Sequence, residues 1–194
     1  MFKSLVNAFR VKEIRLKLLF TLLMLVVIRI GCNLPIPGVK ADALAEIFSG
    51  SDFSFINAVT GGSLLNLSVF ALNISPYITA SIIMQLLTIA IPKLEELQKD
   101  GEDGRKKIAS ITRYVTIALS LVEGVAMVYG FRNQGIITGY AAMSTAHKIF
   151  ASVVMVAALT AGSALLMWIG ERITEKGVGN GISIVLVINI ISRI

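Results

Sequence analysis

The sequence predicts an all-α, polytopic membrane helix bundle with five transmembrane spans. Three observations carry this. Hydrophobic residues make up 55% of the 194-residue chain and charged residues 15%, with a mean hydropathy of +0.80. That is too little charge to cover a water-facing surface. Long runs nearly free of charge recur along the chain, each close to the roughly 17–25 residues that cross a hydrocarbon core. Lysines and arginines gather in alternate connections between those runs.

In chain order, residues 1–17 read as a short basic amphipathic helix. Phe2, Leu5, Val6, Phe9 and Ile14 suit lipid; Lys3, Arg10, Lys12, Arg15 and Lys17 suit headgroups. A solvated tail that merely sets orientation is equally compatible with the pattern. No small-residue cleavage site of a signal peptide follows. Span 1 is expected over 18–34, with Arg29 near its end. Span 2 is expected over 74–91, without charge, and span 3 over 114–131, with Glu123 inside. Span 4 is expected over 149–169, without charge, and span 5 over 182–194, a short run that reads as a span cut off.

The basic residues set the topology. Five precede span 1, and Lys93, Lys99, Arg105, Lys106, Lys107 and Arg113 fall between spans 2 and 3. Arg172 and Lys176 fall between spans 4 and 5. The opposite loops hold only Lys40, Arg132 and Lys148. Positive residues favour the cytoplasm. The N-terminus and the loops 92–112 and 170–181 are therefore expected there. This distribution explains the net charge of +6 without nucleic acid. The single cysteine, Cys32, excludes an internal disulfide and a cysteine metal site.

One apolar stretch is broken. Gly61 to Leu72 is too short to span, and Asn73-Ile74-Ser75-Pro76 then interrupts it. Proline removes a backbone donor and clashes with the preceding turn. Freed backbone groups are tolerated in a membrane only against protein or water. The pattern leaves two readings open, a kinked span and a segment that re-enters from the outer side.

Other residues carry weaker signals. Glu123 has no intramembrane partner in the sequence, so a buried hydrogen bond or a neutral acid outweighs a proton relay. Arg29 is expected to snorkel to the outer interface, and Trp168 to sit in the cytoplasmic aromatic belt. His147 reads as a loop residue. "GVGNG", Gly177 to Gly181, lacks the lysine and strand of a phosphate loop and reads as a flexible turn. Glu171, Arg172, Glu175 and Lys176 are placed to hold it by local ion pairs.

Four blocks carry a family resemblance. "RIGCNLPIPGV" (Arg29–Val39), "GGSLLNLSVFALNISPYITASIIMQLL" (Gly61–Leu87), "GEDGRKKIASITRY" (Gly101–Tyr114) and "LLMWIGERITEKGVGNGISI" (Leu165–Ile184) resemble the SecY family of protein-translocase channel subunits, most of all its bacterial members. The blocks occur in family order and run from the first span to the chain end. The resemblance covers the first five of the family's ten spans. It implies one inverted-repeat half of a ten-span channel.

The resemblance implies further roles. A short re-entrant plug helix is expected over Gly61, Gly62, Ser63, Leu64, Leu65, Asn66, Leu67, Ser68, Val69 and Phe70. Asn73 stands where relatives usually have glycine, making the linker stiffer and more polar. An apolar pore ring would take Ile74, Ile78 and Leu186 from this half. The lateral gate would use Thr79, Ile82, Ile83, Gln85, Leu86 and Leu87. Arg105, Lys106 and Lys107 would contact cytoplasmic partners. The implied function is secretion of unfolded polypeptides across the bacterial cell membrane and lateral insertion of membrane proteins into it. Implied partners are the SecE and SecG subunits, the SecA ATPase, the ribosome with its nascent chain, signal peptides, membrane lipids and the C-terminal half of SecY. No cofactor and no enzymatic activity are expected. A half of a small-solute transporter with a broken-helix binding site is the alternative. That alternative calls for a mid-membrane polar cluster, and only Glu123 qualifies.

Overall fold

A computed structural model describes residues 11–36, 38–39, 60–132, 136–137 and 143–191. The described residues form six helices: α1 (Lys12–Cys32), α2 (Ser75–Ala90), α3 (Pro92–Lys99), α4 (Glu102–Arg132), α5 (Thr145–Lys176) and α6 (Gly181–Ile191). The all-α expectation holds. α5 is the hub, packing against α4, α6, α1 and α2, while α2 also lies along α4.

Helix α4 is inside-out relative to a helix of a water-soluble bundle. The buried face of α4 carries Thr112, Thr116, Ser120, Gly124 and Val128. These lie four residues apart and so fall on one face. Its exposed face carries Tyr114, Leu121, Val122, Val125 and Tyr129. Small interior residues let helix backbones approach closely where lipid supplies no hydrophobic drive between helices. The hydroxyls return to their own turns: Thr112 Oγ1 donates to the Ile108 carbonyl at 2.9 Å and Thr116 Oγ1 to Thr112 at 2.8 Å. The buried face of α2 has the same four-residue step through Pro76, Ala80, Met84 and Thr88.

Two helices, α4 (31 residues) and α5 (32 residues), are each long and apolar enough to cross a membrane; α2 and α3 would form a third crossing only as one bent unit. α4 and α5 are about 46–48 Å long at 1.5 Å per residue, well beyond a hydrocarbon core of roughly 30 Å. The sequence boundaries are corrected accordingly. The loop expected over 92–112 is helical for most of its length: α3, a turn at Gly101 with φ +77°, then the first turns of α4. The loop expected over 170–181 shrinks to four residues, 177–180, because α5 continues to Lys176. Good helix formers flank the apolar runs in both places, so α4 starts just after Gly101 and α5 runs on to Lys176, just before Gly177. His147, expected in a loop, lies exposed in the first turn of α5. No boundary separates a basic helix from span 1: α1 is continuous from Lys12. The part of the basic-helix expectation on residues 1–10, together with Lys40 and the last three residues of span 5, lies outside the described residues.

Pro76 does not kink a span. It occupies the first turn of α2, where its missing N–H costs nothing. Pro92 starts α3 in the same way, after an extended Ile91, and the chain bends by 101° there.

Two apolar clusters fill the interior. One gathers Ile36, Leu67, Ala71, Leu72, Val128, Ile136, Ile137, Met155 and Leu159. The other gathers Ile28, Cys32, Phe70, Ile74, Leu166, Ile169, Ile173 and Val185. Residues 60–74 contribute to both.

Candidate functional site: the broken segment and its cradle

The plug expected as a helix over Gly61–Phe70 is instead a run of turns. The local sequence explains it. Asn66 N–H bonds the Gly62 carbonyl at 3.2 Å, making a single helical turn. That turn is closed at once: Ser68 N–H bonds the Ser63 carbonyl at 2.9 Å and Leu67 N–H the Leu64 carbonyl at 3.0 Å. This is the paired closure of a Schellman motif, which requires a left-handed residue. Leu67 supplies it at φ +37°. A leucine there costs roughly 1–2 kcal/mol, and its side chain is returned to the core, 3% exposed.

The next residues pair across the fold. Ile36 N–H donates to the Leu67 carbonyl at 2.9 Å, and Val69 N–H to the Leu34 carbonyl at 3.0 Å. Two glycines form notches that seat the segment. A methyl group on Gly31 of α1 would lie 2.0 Å from the Phe70 ring. One on Gly162 of α5 would lie 1.9 Å from the Val69 carbonyl oxygen. Only glycine permits these approaches. The irregular backbone is thus enclosed by protein, the condition under which a membrane tolerates it. The Ser68 hydroxyl, fully buried, has no hydrogen-bond partner among the described residues.

Asn73 ends the segment in a left-handed conformation, φ +54°, which asparagine adopts more readily than most residues. Its side chain is 3% exposed. Its Oδ1 accepts from Nδ2 of Asn189 on α6 at 2.9 Å. Ser163 Oγ on α5 donates to the Asn73 carbonyl at a long 3.5 Å. Interhelical polar bonds of this kind contribute about 0.6 kcal/mol on average and up to ~1.7.

The residues assigned to the pore ring are brought together. Ile74 (1% exposed) lies in the second apolar cluster, and Ile78 and Leu186 pack at its edge, half-buried. Of the lateral-gate set, Thr79, Ile82, Gln85, Leu86 and Leu87 are exposed on α2 and Ile83 is half-buried. Their face is turned away from the buried Ala80–Met84–Thr88 stripe. Arg105, Lys106 and Lys107 are exposed, on the first turns of α4 rather than on a loop. Glu123 is half-buried on α4.

The polar residues around the loop at 177–180 have specific partners, so the loop is a fitted connector rather than the flexible turn expected. Thr21 Oγ1 on α1 donates to the Lys17 carbonyl at 2.9 Å and accepts from Val178 N–H at 3.2 Å. Thr174 Oγ1 accepts from Gly181 N–H at 2.9 Å, and Asn180 Oδ1 caps α6 by accepting from Ile182 N–H at 3.0 Å. Of the local ion pairs expected, Arg172 meets Glu175 at 2.8 Å, but Glu171 reaches across to Arg113 of α4 at 3.0 Å. Arg172 also lies over the Trp168 ring, 5.6 Å from its centroid. Arg29 does more than snorkel: its guanidinium donates to the Ile188 carbonyl of α6.

Sequence reasoning missed Asn189, Gly31 and Gly162. Asn189 had a visible signal, an amide inside an apolar run. The glycine notches had none, since a close approach depends on what folds against them.

Comparison with known proteins identifies the family and the fold. The chain is similar to protein translocase subunit SecY of Bacillus subtilis strain 168, with 48% identity over all of this chain and 44% of the relative. It is similar to that of Halalkalibacterium halodurans, 48% identical over 96% of this chain and 42% of the relative. It is similar to that of Streptomyces coelicolor, 44% identical over 98% of this chain and 45% of the relative. The chain therefore spans less than half the length of these curated relatives. Two solved structures share its fold: "Sec61 in the Canine ribosome-channel complex from the endoplasmic reticulum" and "The structure of a protein conducting channel". Each matches with a TM-score of 0.59 and 20% identity over 90% of this chain and 36% of the other. The SecY family model matches residues 68–194, well over half of the sequence, and the chain belongs to the SecY family.

Proposed function

We propose that the chain forms one half of a protein-conducting channel in the cytoplasmic membrane of a bacterium. It would pass unfolded polypeptides outward and release hydrophobic segments sideways into lipid. The N-terminus is cytoplasmic and the chain crosses five times, with residues 61–70 as the stopper. The observation that carries this reading is the clustering of Ile74, Ile78 and Leu186 directly beside the enclosed segment. An aliphatic constriction excludes ions because it cannot replace their hydration and tends to dewet. It still yields to a chain of any sequence, because apolar contact is non-directional. Ile74 is sealed in, so a passing chain must first displace the segment that shares its cluster. The exposed face of α2 supplies one wall of the lateral gate, and the C-terminal half of SecY the other.

SecE and SecG would complete the channel, and SecA or the ribosome with its nascent chain would drive it. One of the two fold neighbours is the channel of a ribosome–channel complex, which supports the ribosome as a partner. Exposed Arg105, Lys106 and Lys107 fit acidic or phosphate surfaces of such partners. Signal peptides and membrane lipids would meet the α2 face. The small-solute transporter reading has no support from family membership.

The test is ion leak. In the complete channel reconstituted in vesicles, replacing Ile74 and Ile78 together by glycine is expected to raise resting ion conductance at least about tenfold, since the glycines open a wettable gap in the constriction. Unchanged conductance contradicts the ring.

A further inference from the structure

We propose that the buried Asn73–Asn189 amide pair is a latch holding residues 61–74 in the closed position, and that opening breaks it. The inference rests on the channel reading above and names the contact that positions its stopper.

The two side chains bond at 2.9 Å and are 3% and 1% exposed. Neighbouring residues of both belong to an apolar cluster. Ile74 and Val185, one beside Asn73 in sequence and one a turn before Asn189, are both in the second cluster. An amide-to-amide bond in such surroundings is directional, whereas the apolar contacts around it can slide. It therefore defines one position of the segment relative to α6.

The same asparagine meets the other end of the segment. Gly61, at φ +62°, lies so close to α6 that a methyl group on it would be 3.1 Å from both Asn189 Cα and Asn189 O. Asn189 thus touches the start of the segment through its backbone and the end through its side chain. The stretch 61–73 is a loop pinned twice at one residue of α6.

Two features make the closed position metastable rather than permanent. Leu67 holds a left-handed backbone that leucine disfavours. The Ser68 hydroxyl is buried without a partner among the described residues; moving the segment would return it to water. Both release free energy on opening, and the latch opposes them.

The experiment uses the complete channel in vesicles with Asn73→Gly, Asn189→Ala and the double variant. Glycine accepts the left-handed backbone at position 73 without strain. Asn189→Ala breaks the same bond from the other side, so each variant checks the other should one fail to assemble. Each single variant is expected to raise resting ion conductance roughly three- to eighteen-fold, the range a lost bond of this kind produces. The double variant should leak no more than the larger single, since both remove the Asn73–Asn189 bond. With a translocating chain arrested in the channel, all variants should conduct like the unmodified protein, because the latch is already open. Resting conductance unchanged in both singles overturns the latch, as does a double effect equal to the product of the singles. So does an excess leak that persists with a chain arrested. The Ile74/Ile78 glycine variant separates the two claims. If it leaks and the asparagine variants do not, the latch fails and the channel reading stands. If it does not leak, the channel reading fails and takes the latch with it.

Discussion

Between Thr60 and Ile74 the backbone never completes a regular helix, and most side chains are buried. Between Ser75 and Ala90 it is one helix with an exposed apolar face. The two stretches are adjacent and similarly apolar, so hydrophobicity does not separate them. Backbone satisfaction does. A helix meets its own hydrogen-bonding needs and can face lipid. A run of turns cannot, and must be enclosed. The enclosure comes from glycine notches on α1 and α5, a two-bond pairing with residues 34–36, and the amide of Asn189. α2 is held through one stripe only, which leaves its other face free for lipid or for a passing apolar segment.

The sharpest way to break this comparison is to fill a notch. Gly162→Val should push a branched side chain into the Val69 carbonyl, where even a methyl group would sit at 1.9 Å. Overpacking costs about 1–3 kcal/mol where side chains can give way, and backbone cannot. The expected result is loss of the folded protein from detergent extracts, read by thermal unfolding. Gly130→Ala is the counterpart on lipid-facing α4. Among the described residues nothing lies within 4 Å of an added methyl there. The same assay should show no loss, with a gain of up to about 1 kcal/mol from helix propensity.

A smaller effect is expected where a regular helix meets a loop. Thr21→Val keeps the shape but leaves Val178 N–H without its acceptor. A destabilisation of about 1–2 kcal/mol should follow, without the leak expected from disturbing residues 61–74. The smallest effect belongs to the ends of regular helices. The Arg113–Glu171 pair joins α4 to α5 with Arg113 half exposed. A double-mutant cycle should give a coupling of about 0.2–1 kcal/mol that shrinks in high salt.

The regular part of the molecule was legible in the sequence. The absence of charge located α2 within one residue at each end. The cores of α4 and α5 were found, and the C-terminal end of α4 within one residue, but not the ends beside Gly101 and Gly177, because those glycines rather than charged residues bound the helices there. The irregular part was legible only as an interruption. Pro76 announced a break, yet the left-handed Leu67 and the Schellman closure could not be read from a leucine. Asn73 was visible as an oddity; its meaning depended on Asn189, 116 residues away.

The most direct measurement is site-specific photo-crosslinking in the complete channel with a translocating chain arrested inside. A photoreactive residue at Ile78 or Leu186, at the edge of the enclosed cluster, should form adducts with the passing polypeptide. One at Val122, 64% exposed on the outer face of α4, should form adducts with lipid only. Adducts to the polypeptide at Val122, with none at Ile78 or Leu186, would place the path elsewhere and contradict the role given to the broken segment.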